Sequence, residues 1–232
     1  GHTGRNFVAD EPNFVFETPK FAQKIVLPLC SEVVVARTYL QNRKIDPTKF
    51  YFAENFDEFV RTFEGVDYSY MGRESRIIIP LFRERNLIGF QGRSLGPNKI
   101  KYITVMLDDN APKIYGLDTI RGDAPVFVTE GPFDSTFIRN AIAMCGADAD
   151  VNRWGISDPV YVYDNEPRNK EIVTRIDKTI QRGDKIVIWP NNIMEKDIND
   201  MVIAGHNVQN LLESNTYSGL EAKLKFNTWK KI

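Results

Sequence analysis

Three short apolar segments, separated by stretches with helical periodicity, constrain the fold of this chain more than any other feature. They span residues 126–129, 160–163 and 185–189, and the segments 132–144, 169–182 and 198–204 that follow them have the pattern of helices. Strands that alternate with helices form a parallel sheet covered on both faces, because each strand needs a long crossover before the next one can run in the same direction. The second half of the chain is therefore predicted to be a parallel α/β domain.

The first half predicts a mixed α+β arrangement instead. Residues 31–43 have the pattern of a helix, the apolar runs 77–82 and 87–90 flank a polar turn as in a hairpin, and 101–105 continues as a strand. The predicted organisation is an N-terminal extension or linker over 1–20, a basic subdomain over 21–123, the parallel α/β domain over 124–205 and a helical C-terminal segment over 206–232.

Composition excludes several classes of protein. With 232 residues, 42% of them hydrophobic, and a formal charge of −1, the chain is an ordinary soluble globular protein. No apolar run approaches the ~20 residues that span a bilayer, so no membrane partner is expected. Two cysteines are too few for a disulfide scaffold or a four-cysteine zinc site. We therefore expect a cytoplasmic protein with no zinc in this chain.

Carboxylates follow each of the three predicted strands. Glu130 follows the first, Asp164 and Glu166 follow the second, and Asp197 and Asp200 come a few residues after the third. The carboxyl ends of parallel strands meet at one edge of a sheet, where ligands bind. Hard oxygen ligands gathered there suit Mg²⁺. Acids that merely cap helices are one alternative, which three strands in a row disfavour. A phospho-acceptor receiver domain is another, but it has paired acids after its first strand, and Glu130-Gly131 does not fit that pattern.

A local basic stretch lies upstream of the acids. Residues 73–101 contain seven Lys or Arg against two Glu, in a chain that is nearly neutral overall. Such a stretch predicts an anionic ligand held near the carboxylates, although a solvated face that binds nothing has the same composition.

The acidic segments match the motifs of a known domain in sequence and order. They are Glu130-Gly131-Pro132-Phe133-Asp134, Asp164-Asn165-Glu166 and Lys196-Asp197-Ile198-Asn199-Asp200, and they resemble the Toprim motifs shared by primases, topoisomerases and some nucleases. The upstream segments 76–81, 88–95, 101–104 and 114–117 resemble the basic subdomain of DnaG-type DNA primases. The combination is most similar to the RNA polymerase domain of primases from T-even-type phages. The chain departs from bacterial relatives at Glu166, where the motif usually ends in Asp, and at Thr104, where an asparagine is usual. It also lacks the zinc ribbon that usually precedes this core.

The resemblance implies roles for individual residues. Glu130, Asp164 and Glu166 would be catalytic, and the same three with Asp197 and Asp200 would bind Mg²⁺, for which Mn²⁺ could substitute. Nucleotide or template phosphates would be bound by five basic residues, namely Arg43, Arg76, Arg83, Arg93 and Lys101. Asp134 would steady the turn and the helix after Glu130.

The resemblance also implies a function. The chain would make short RNA primers de novo from NTPs on a single-stranded DNA template by Mg²⁺-dependent nucleotidyl transfer, for phage DNA replication. Its partners would be a hexameric replicative helicase and a single-strand DNA-binding protein. The alternatives are a metal-dependent Toprim nuclease and a non-catalytic Toprim module that binds nucleic acid.

Overall fold

The structure is a computed structural model that describes residues 23–66, 72–146 and 151–232. The predicted extension over 1–20 lies outside the described residues. The helices are α1 (Val34–Asn42), α2 (Phe56–Val60), α3 (Pro132–Ser135), α4 (Lys170–Gln181), α5 (Ile198–Ile203), α6 (Val208–Ser214) and α7 (Gly219–Trp229). The strands are β1 (Tyr51–Ala53), β2 (Arg76–Arg83), β3 (Asn86–Ser94), β4 (Tyr102–Met106), β5 (Ile114–Tyr115), β6 (Val126–Thr129), β7 (Ala141–Met144), β8 (Pro159–Val162), β9 (Lys185–Val187) and β10 (Thr216–Tyr217).

The first half folds as predicted, around an antiparallel sheet with the order β1-β2-β3-β4. The β2–β3 hairpin turns through Glu84 and Arg85, which both adopt positive φ angles, 52° and 66°. Two such residues in succession match the right-handed twist of a two-residue hairpin. Asp118 accepts hydrogen bonds from both of their backbone N–H groups, at 2.8 and 2.9 Å, and so stabilises a turn that has no glycine.

The second half is built on a sheet with the order β10-β9-β8-β6-β7-β5. The four central strands are parallel, which confirms the predicted α/β class, and β5 and β10 add antiparallel edges. This sheet therefore takes one strand from each of the two neighbouring predicted segments, 21–123 and 206–232.

The prediction of one helix over 132–144 is wrong. Helix α3 ends at Ser135, and the apolar residues Ala141–Met144 form β7 between β6 and β5. Asn140 adopts a left-handed φ of 54°, which stops helical continuation, and its amide donates to the backbone carbonyl of Pro125. A short apolar run that is buried on both sides does not distinguish a strand from a helix by periodicity, and here pairing with two neighbours makes it a strand.

The two halves share packing. Phe133 of α3 packs with the first-half core residue Phe50 at a ring-centroid distance of 5.3 Å. Cys145, directly after β7, is buried against Leu81 and Ile88 of the first sheet. This packing holds the two sheets in a fixed relation across the site described below. No helix in the described ranges has the length and apolar character needed to cross a membrane.

Candidate active site

The order of the strands places the site. The chain passes from β6 to β7 on one side of β6 and then returns to form β8 on the other side. Ligands of open α/β sheets bind at such a reversal, beyond the carboxyl ends of the strands. Thr129 of β6 is in register with Val162 of β8, so Glu130 and Asp164 follow the ends of two adjacent strands. The sheet topology thus brings two of the predicted catalytic residues together.

Hydrogen bonds around Asn165 bring the third acidic segment to the same place. The Asn165 N–H donates to the carbonyl of Lys196 at 2.6 Å, and its side-chain amide donates to the carbonyls of Ile193 and Glu195, both at 3.0 Å. The indole N–H of Trp229 in α7 donates to Asn165 Oδ1 at 2.9 Å. The loop after β8 is therefore held against the loop that leads to Asp197, and the C-terminal helix fixes this arrangement.

Asp197 and Asp134 both cap helix α5. Asp197 Oδ1 accepts from the Asp200 N–H at 2.8 Å, and Asp134 Oδ1 accepts from the Asn199 N–H at 3.0 Å. Carboxylates in these positions satisfy N–H groups that have no partner within the helix. The capping interpretation is thus correct for Asp197, but capping uses one of its two oxygens and leaves the other for a ligand. Asp134 lies in α3 but caps α5. Its predicted role at the turn and helix after Glu130 therefore stays a prediction.

Five carboxylates form what we call the acid edge, namely Glu130, Asp134, Asp164, Asp197 and Asp200. Burial, followed by the charges of Glu130, Asp134 and Asp197, raises the pKa of Asp164 to about 8. Burial and the charge of Asp197 raise the pKa of Asp134 to about 7. The pKa of Asp200 is also raised, by desolvation and by Asp197. The direction of these shifts indicates that the acids lie close enough to repel one another.

Two of the predicted ligands have cationic partners. Glu130 accepts from Arg175 Nη1 of α4 at 2.6 Å, with both side chains only about one-fifth exposed. Glu166 lies 3.5 Å from Lys196 Nζ, in a more exposed pair. Burial disfavours the charged form of Lys196, but the charges of Glu166 and Asp164 outweigh it and raise the lysine pKa. No salt bridge within the described ranges involves Asp164, Asp197 or Asp200.

The acid edge is not a closed metal cage. Within residues 23–66, 72–146 and 151–232, no group of three or more His, Cys, Asp or Glu side chains is arranged to hold a metal ion. Mg²⁺, however, is usually held by one or two carboxylates together with water and substrate phosphates. Asp164, and the oxygen of Asp197 that does not cap α5, have no salt-bridge partner among the described residues and lie beside mutually repelling acids, a donor set that fits such an ion.

A basic face lies beside the acid edge, and we define it as Arg43, Arg93 and Lys101. Arg43 Nη1 lies 3.5 Å from the side-chain oxygen of Asn199 in α5. Desolvation, with the charges of Arg93 and Arg43, lowers the pKa of Lys101, while Asp197 acts in the opposite direction. The structure therefore brings three of the five predicted phosphate-binding residues together at the acids.

Arg93 is buried and has no carboxylate partner among the described residues. Its Nη1 donates to the Tyr102 hydroxyl at 2.5 Å and its Nη2 to the Tyr39 hydroxyl at 2.8 Å. Its guanidinium also lies over the rings of Tyr102 and Phe133, and its Nε has no hydrogen-bond partner within the described residues. A guanidinium held by neutral groups keeps its full charge for an anion.

Arg76 does not belong to this face, so its predicted phosphate contact is wrong. The side chain is fully buried, and all five of its N–H groups donate within the chain, two to Glu74 and one each to the carbonyls of Gly92, Ile100 and Lys101. Position 92 requires glycine, because a Cβ there would lie 2.6 Å from the Phe56 ring that packs beneath Arg76. Arg76 is therefore part of the framework of the first sheet.

Arg83 lies away from the acid edge. It is the last residue of β2, six residues beyond Ile77, which pairs with Arg93. At about 3.3 Å per residue, this separation is roughly 20 Å. Its guanidinium lies 4.9 Å from the ring centroid of Trp154. The structure does not bring Arg83 to the other predicted site residues.

Sequence reasoning missed several residues of the site. Arg175 lies on a helix far along the chain from Glu130, and no local pattern marks their contact. Tyr39 and Gln91 are also near the site, Tyr39 as a partner of Arg93 and Gln91 as a lining residue of a small cavity next to Glu130. Gln91, a polar residue directly after the apolar run 87–90, was the one available signal.

Comparison with known proteins agrees with this geometry. The DNA primase of Enterobacteria phage T4 is 31% identical over 205 residues, which cover 84% of this chain and 60% of that relative. The E. coli primase catalytic core is 20% identical with a TM-score of 0.59, covering 84% of this chain and 76% of that one. A DnaG primase catalytic domain solved bound to single-stranded DNA is 20% identical with a TM-score of 0.59, covering 84% and 77%. No protein-family profile matches the chain.

These similarities confirm the predicted resemblance. The fold is that of the catalytic core of DnaG-type primases, a Toprim-containing domain. The chain itself is similar in sequence to a phage primase, and it spans about three-fifths of the length of that relative.

Proposed function

We propose that this chain is the RNA polymerase core of a primase that makes short RNA primers de novo on single-stranded DNA. One observation carries the proposal: acids with raised pKa values, at the reversal of a parallel sheet, lie beside a buried arginine that has no carboxylate partner within residues 23–66, 72–146 and 151–232. Carboxylates that suit divalent cations and a guanidinium that suits phosphate are what transfer of a nucleotidyl group from an NTP requires.

Divalent cations would be held by Asp164 and Asp197, with Asp200 in support. Mg²⁺ is the expected ion and Mn²⁺ a substitute. When bound, such ions stabilise the attacking and leaving oxygens of the displacement. Glu166, which is paired with Lys196, would also support this pocket as a further ligand.

The basic face would bind the triphosphate. Arg93 offers a planar set of donors held in place by the tyrosines, and Lys101 adds a compact positive charge. Desolvation and its cationic neighbours lower the pKa of Lys101. An anion between Arg43, Arg93 and Lys101 would relieve this repulsion. The α-phosphorus would then lie toward the acid edge.

Glu130 would lie at the attacking hydroxyl. The 3′-oxygen of the growing RNA attacks the α-phosphorus of the NTP, pyrophosphate leaves, and the proton of the hydroxyl passes to Glu130. The contact with Arg175 Nη1 at 2.6 Å would fix the orientation of this carboxylate.

Further parts of the proposal concern the whole protein. We infer a single-stranded DNA template and NTPs as substrates, and a hexameric helicase and a single-strand DNA-binding protein as partners in the cytoplasm of a phage-infected host. We also infer the basic subdomain over 21–123, the Toprim domain over 124–205 and the helical segment over 206–232 as units. The support is the similarity to phage T4 primase.

Primer synthesis by an Asp164→Asn variant tests the proposal. Labelled NTPs, Mg²⁺ or Mn²⁺ and a single-stranded template should give oligoribonucleotides with the wild-type chain and none detectable with the variant. Asp177→Asn is the matched control, since Asp177 lies on α4 and its side chain bonds to Gln181. Equal synthesis by both variants would contradict the assignment. Cleavage of nucleic acid in the absence of NTPs would favour the nuclease alternative.

A further inference from the structure

A cavity of about 280 Å³ lies between the first sheet and the acid edge. Glu130 and Gly131 line it from the second sheet, and Gln91, Tyr102 and Thr104 line it from the first. A ligand in this cavity would therefore contact both halves of the chain and lie beside Glu130.

The hydrogen bonds of Thr104 fix the orientation of the Gln91 amide. The Thr104 hydroxyl has one proton, which it donates to the carbonyl of Cys145 at 2.9 Å. The hydroxyl oxygen can then only accept from Gln91, whose Nε2 lies 3.3 Å away. The amide oxygen of Gln91 must point the other way, because a flipped amide would place two acceptors against each other.

That oxygen is a buried acceptor without a donor. Gln91 is 5% exposed, and its Oε1 has no hydrogen-bond partner within the described residues. Burying an unpartnered carbonyl is unfavourable, so such a group indicates a ligand that donates a hydrogen bond. Glu130, a second acceptor that also accepts from Arg175, lines the same cavity.

Gln91 and Glu130 both line this cavity, so a ligand that reached both acceptors would need two neighbouring donors. The 2′- and 3′-hydroxyls of a ribose lie on adjacent carbons and are such a pair, whereas a 2′-deoxyribose has only the 3′-hydroxyl. The proposed function already places a 3′-hydroxyl at Glu130, so the adjacent 2′-hydroxyl is the donor left for Gln91.

We propose that this cavity holds the ribose of the nucleotide at the 3′ end of the primer, with its 2′-hydroxyl donating to Gln91 Oε1. The inference rests on the proposed function, and it makes Gln91 a specificity-determining residue that favours RNA over DNA ends. Thr104 is a positioning residue, since it acts through Gln91.

Chain ends that differ only at the 2′ position test the proposal. Template–primer duplexes would end in a ribonucleotide, a 2′-deoxynucleotide or a 2′-fluoronucleotide, and their dissociation constants would be measured by fluorescence anisotropy. Fluorine accepts but cannot donate, so both modified ends should bind the wild-type chain about three- to tenfold more weakly, as expected for one hydrogen bond. Because this comparison uses the wild-type chain, no variant has to fold.

A Gln91→Met variant then identifies the acceptor. Methionine has a similar length and no carbonyl, so this variant should bind the three ends with nearly equal affinity. Gln181→Met is the matched control, because Gln181 is exposed at the end of α4 and bonds to Asp177, and it should keep the wild-type ratio. Extension rates of the same primers should follow the same order.

The outcomes separate this inference from the proposed function. Equal binding of all three ends by the wild-type chain, or an unchanged ratio in Gln91→Met, would overturn the role of Gln91. A ratio that depends on the terminal base instead of the sugar would also overturn it. A sugar-dependent ratio without any extension would support the cavity and contradict the polymerase function.

Discussion

Like charges repel one another in both the acid edge and the basic face, but the two groups of residues respond to this repulsion differently. Carboxylates can take up protons, and the pKa values of Asp164 and Asp134 rise to about 8 and 7. A guanidinium cannot lose its proton in a protein, and Arg93 is held by tyrosine hydroxyls and aromatic rings. The acid edge therefore responds to pH and to cations, whereas the two guanidiniums of the basic face keep their charge and attract an anion.

The comparison also separates two buried arginines that the sequence places in the same stretch. Arg76 has its five donors satisfied within the chain, whereas Arg93 keeps one buried donor without a partner in the part of the chain that the structure describes. The first supports the sheet, and the second is available to a ligand.

The largest expected effect is a loss of stability when the buried Arg76 is replaced. Arg76→Met should lower the free energy of unfolding by about 3–5 kcal/mol, because it leaves Glu74 and three carbonyls without their donor. Urea denaturation followed by circular dichroism measures the change.

Arg121→Met is the control for this experiment. Arg121 also pairs with an acid two residues away, Asp123, but both side chains are largely exposed. No measurable change in stability is expected for such a surface pair. A similar loss of stability in both variants would show that burial does not distinguish Arg76.

The second prediction concerns the pH dependence of the acid edge without divalent ions. A carboxyl with a folded pKa above its unfolded value of about 4 contributes stability below pH 4, and the contribution is lost as pH rises through the folded pKa. The free energy of unfolding should therefore fall between about pH 4 and pH 8, by up to about 1.4 kcal/mol per pH unit for each proton released.

Asp164→Asn should flatten this dependence and make the chain more stable than wild type at pH 8, since the amide carries no charge. Millimolar Mn²⁺ should raise the midpoint of thermal unfolding of the wild-type chain at pH 8 more than that of the variant. A wild-type stability that rises over the same pH range would contradict the raised pKa values of the acids.

The sequence predicted the parts of this arrangement that depend on local patterns. Alternating strands and helices predicted the parallel sheet, and acids after three strands predicted the edge where Glu130, Asp164 and Asp197 meet. The prediction of a helix over 132–144 was wrong because a buried apolar run such as Ala141–Met144 has no periodicity that distinguishes a strand from a helix.

The roles that could not be predicted from the sequence are those set by contacts between distant segments. Arg76 and Arg93 are both arginines in strands, and only the neighbours supplied by other strands decide which one is satisfied. The contact between Arg175 and Glu130 spans 45 positions, and no spacing rule predicts it. Charge alone therefore predicted a basic region but did not separate the arginine that is satisfied within the sheet from the one with a spare donor.

A smaller effect is expected from the basic face. Lys101→Met should raise the KM for NTPs about three- to tenfold, the range for one charge-assisted contact, with little change in kcat. The folded chain should not lose stability, because the substitution removes repulsion with Arg93 and Arg43. Steady-state primer synthesis at varied NTP concentration measures the effect. A fall in kcat with unchanged KM would instead show that Lys101 contacts the reacting atoms in the transition state and does not contribute to binding of the NTP before reaction.

The smallest effect is expected at Arg83, which carries the same charge as the basic face but lies at the far end of β2. Its guanidinium contacts the ring of Trp154 at the surface, so Arg83→Met should change the free energy of unfolding by less than about 0.5 kcal/mol. Affinity for NTPs and for single-stranded DNA should stay within about twofold of wild type, because a screened charge roughly two Debye lengths from the site contributes little. Equilibrium binding of a labelled oligonucleotide measures this directly. A several-fold loss of DNA affinity at unchanged NTP affinity would show that the β2–β3 hairpin contacts the template, and would extend the positive surface from the basic face to that end of the first sheet.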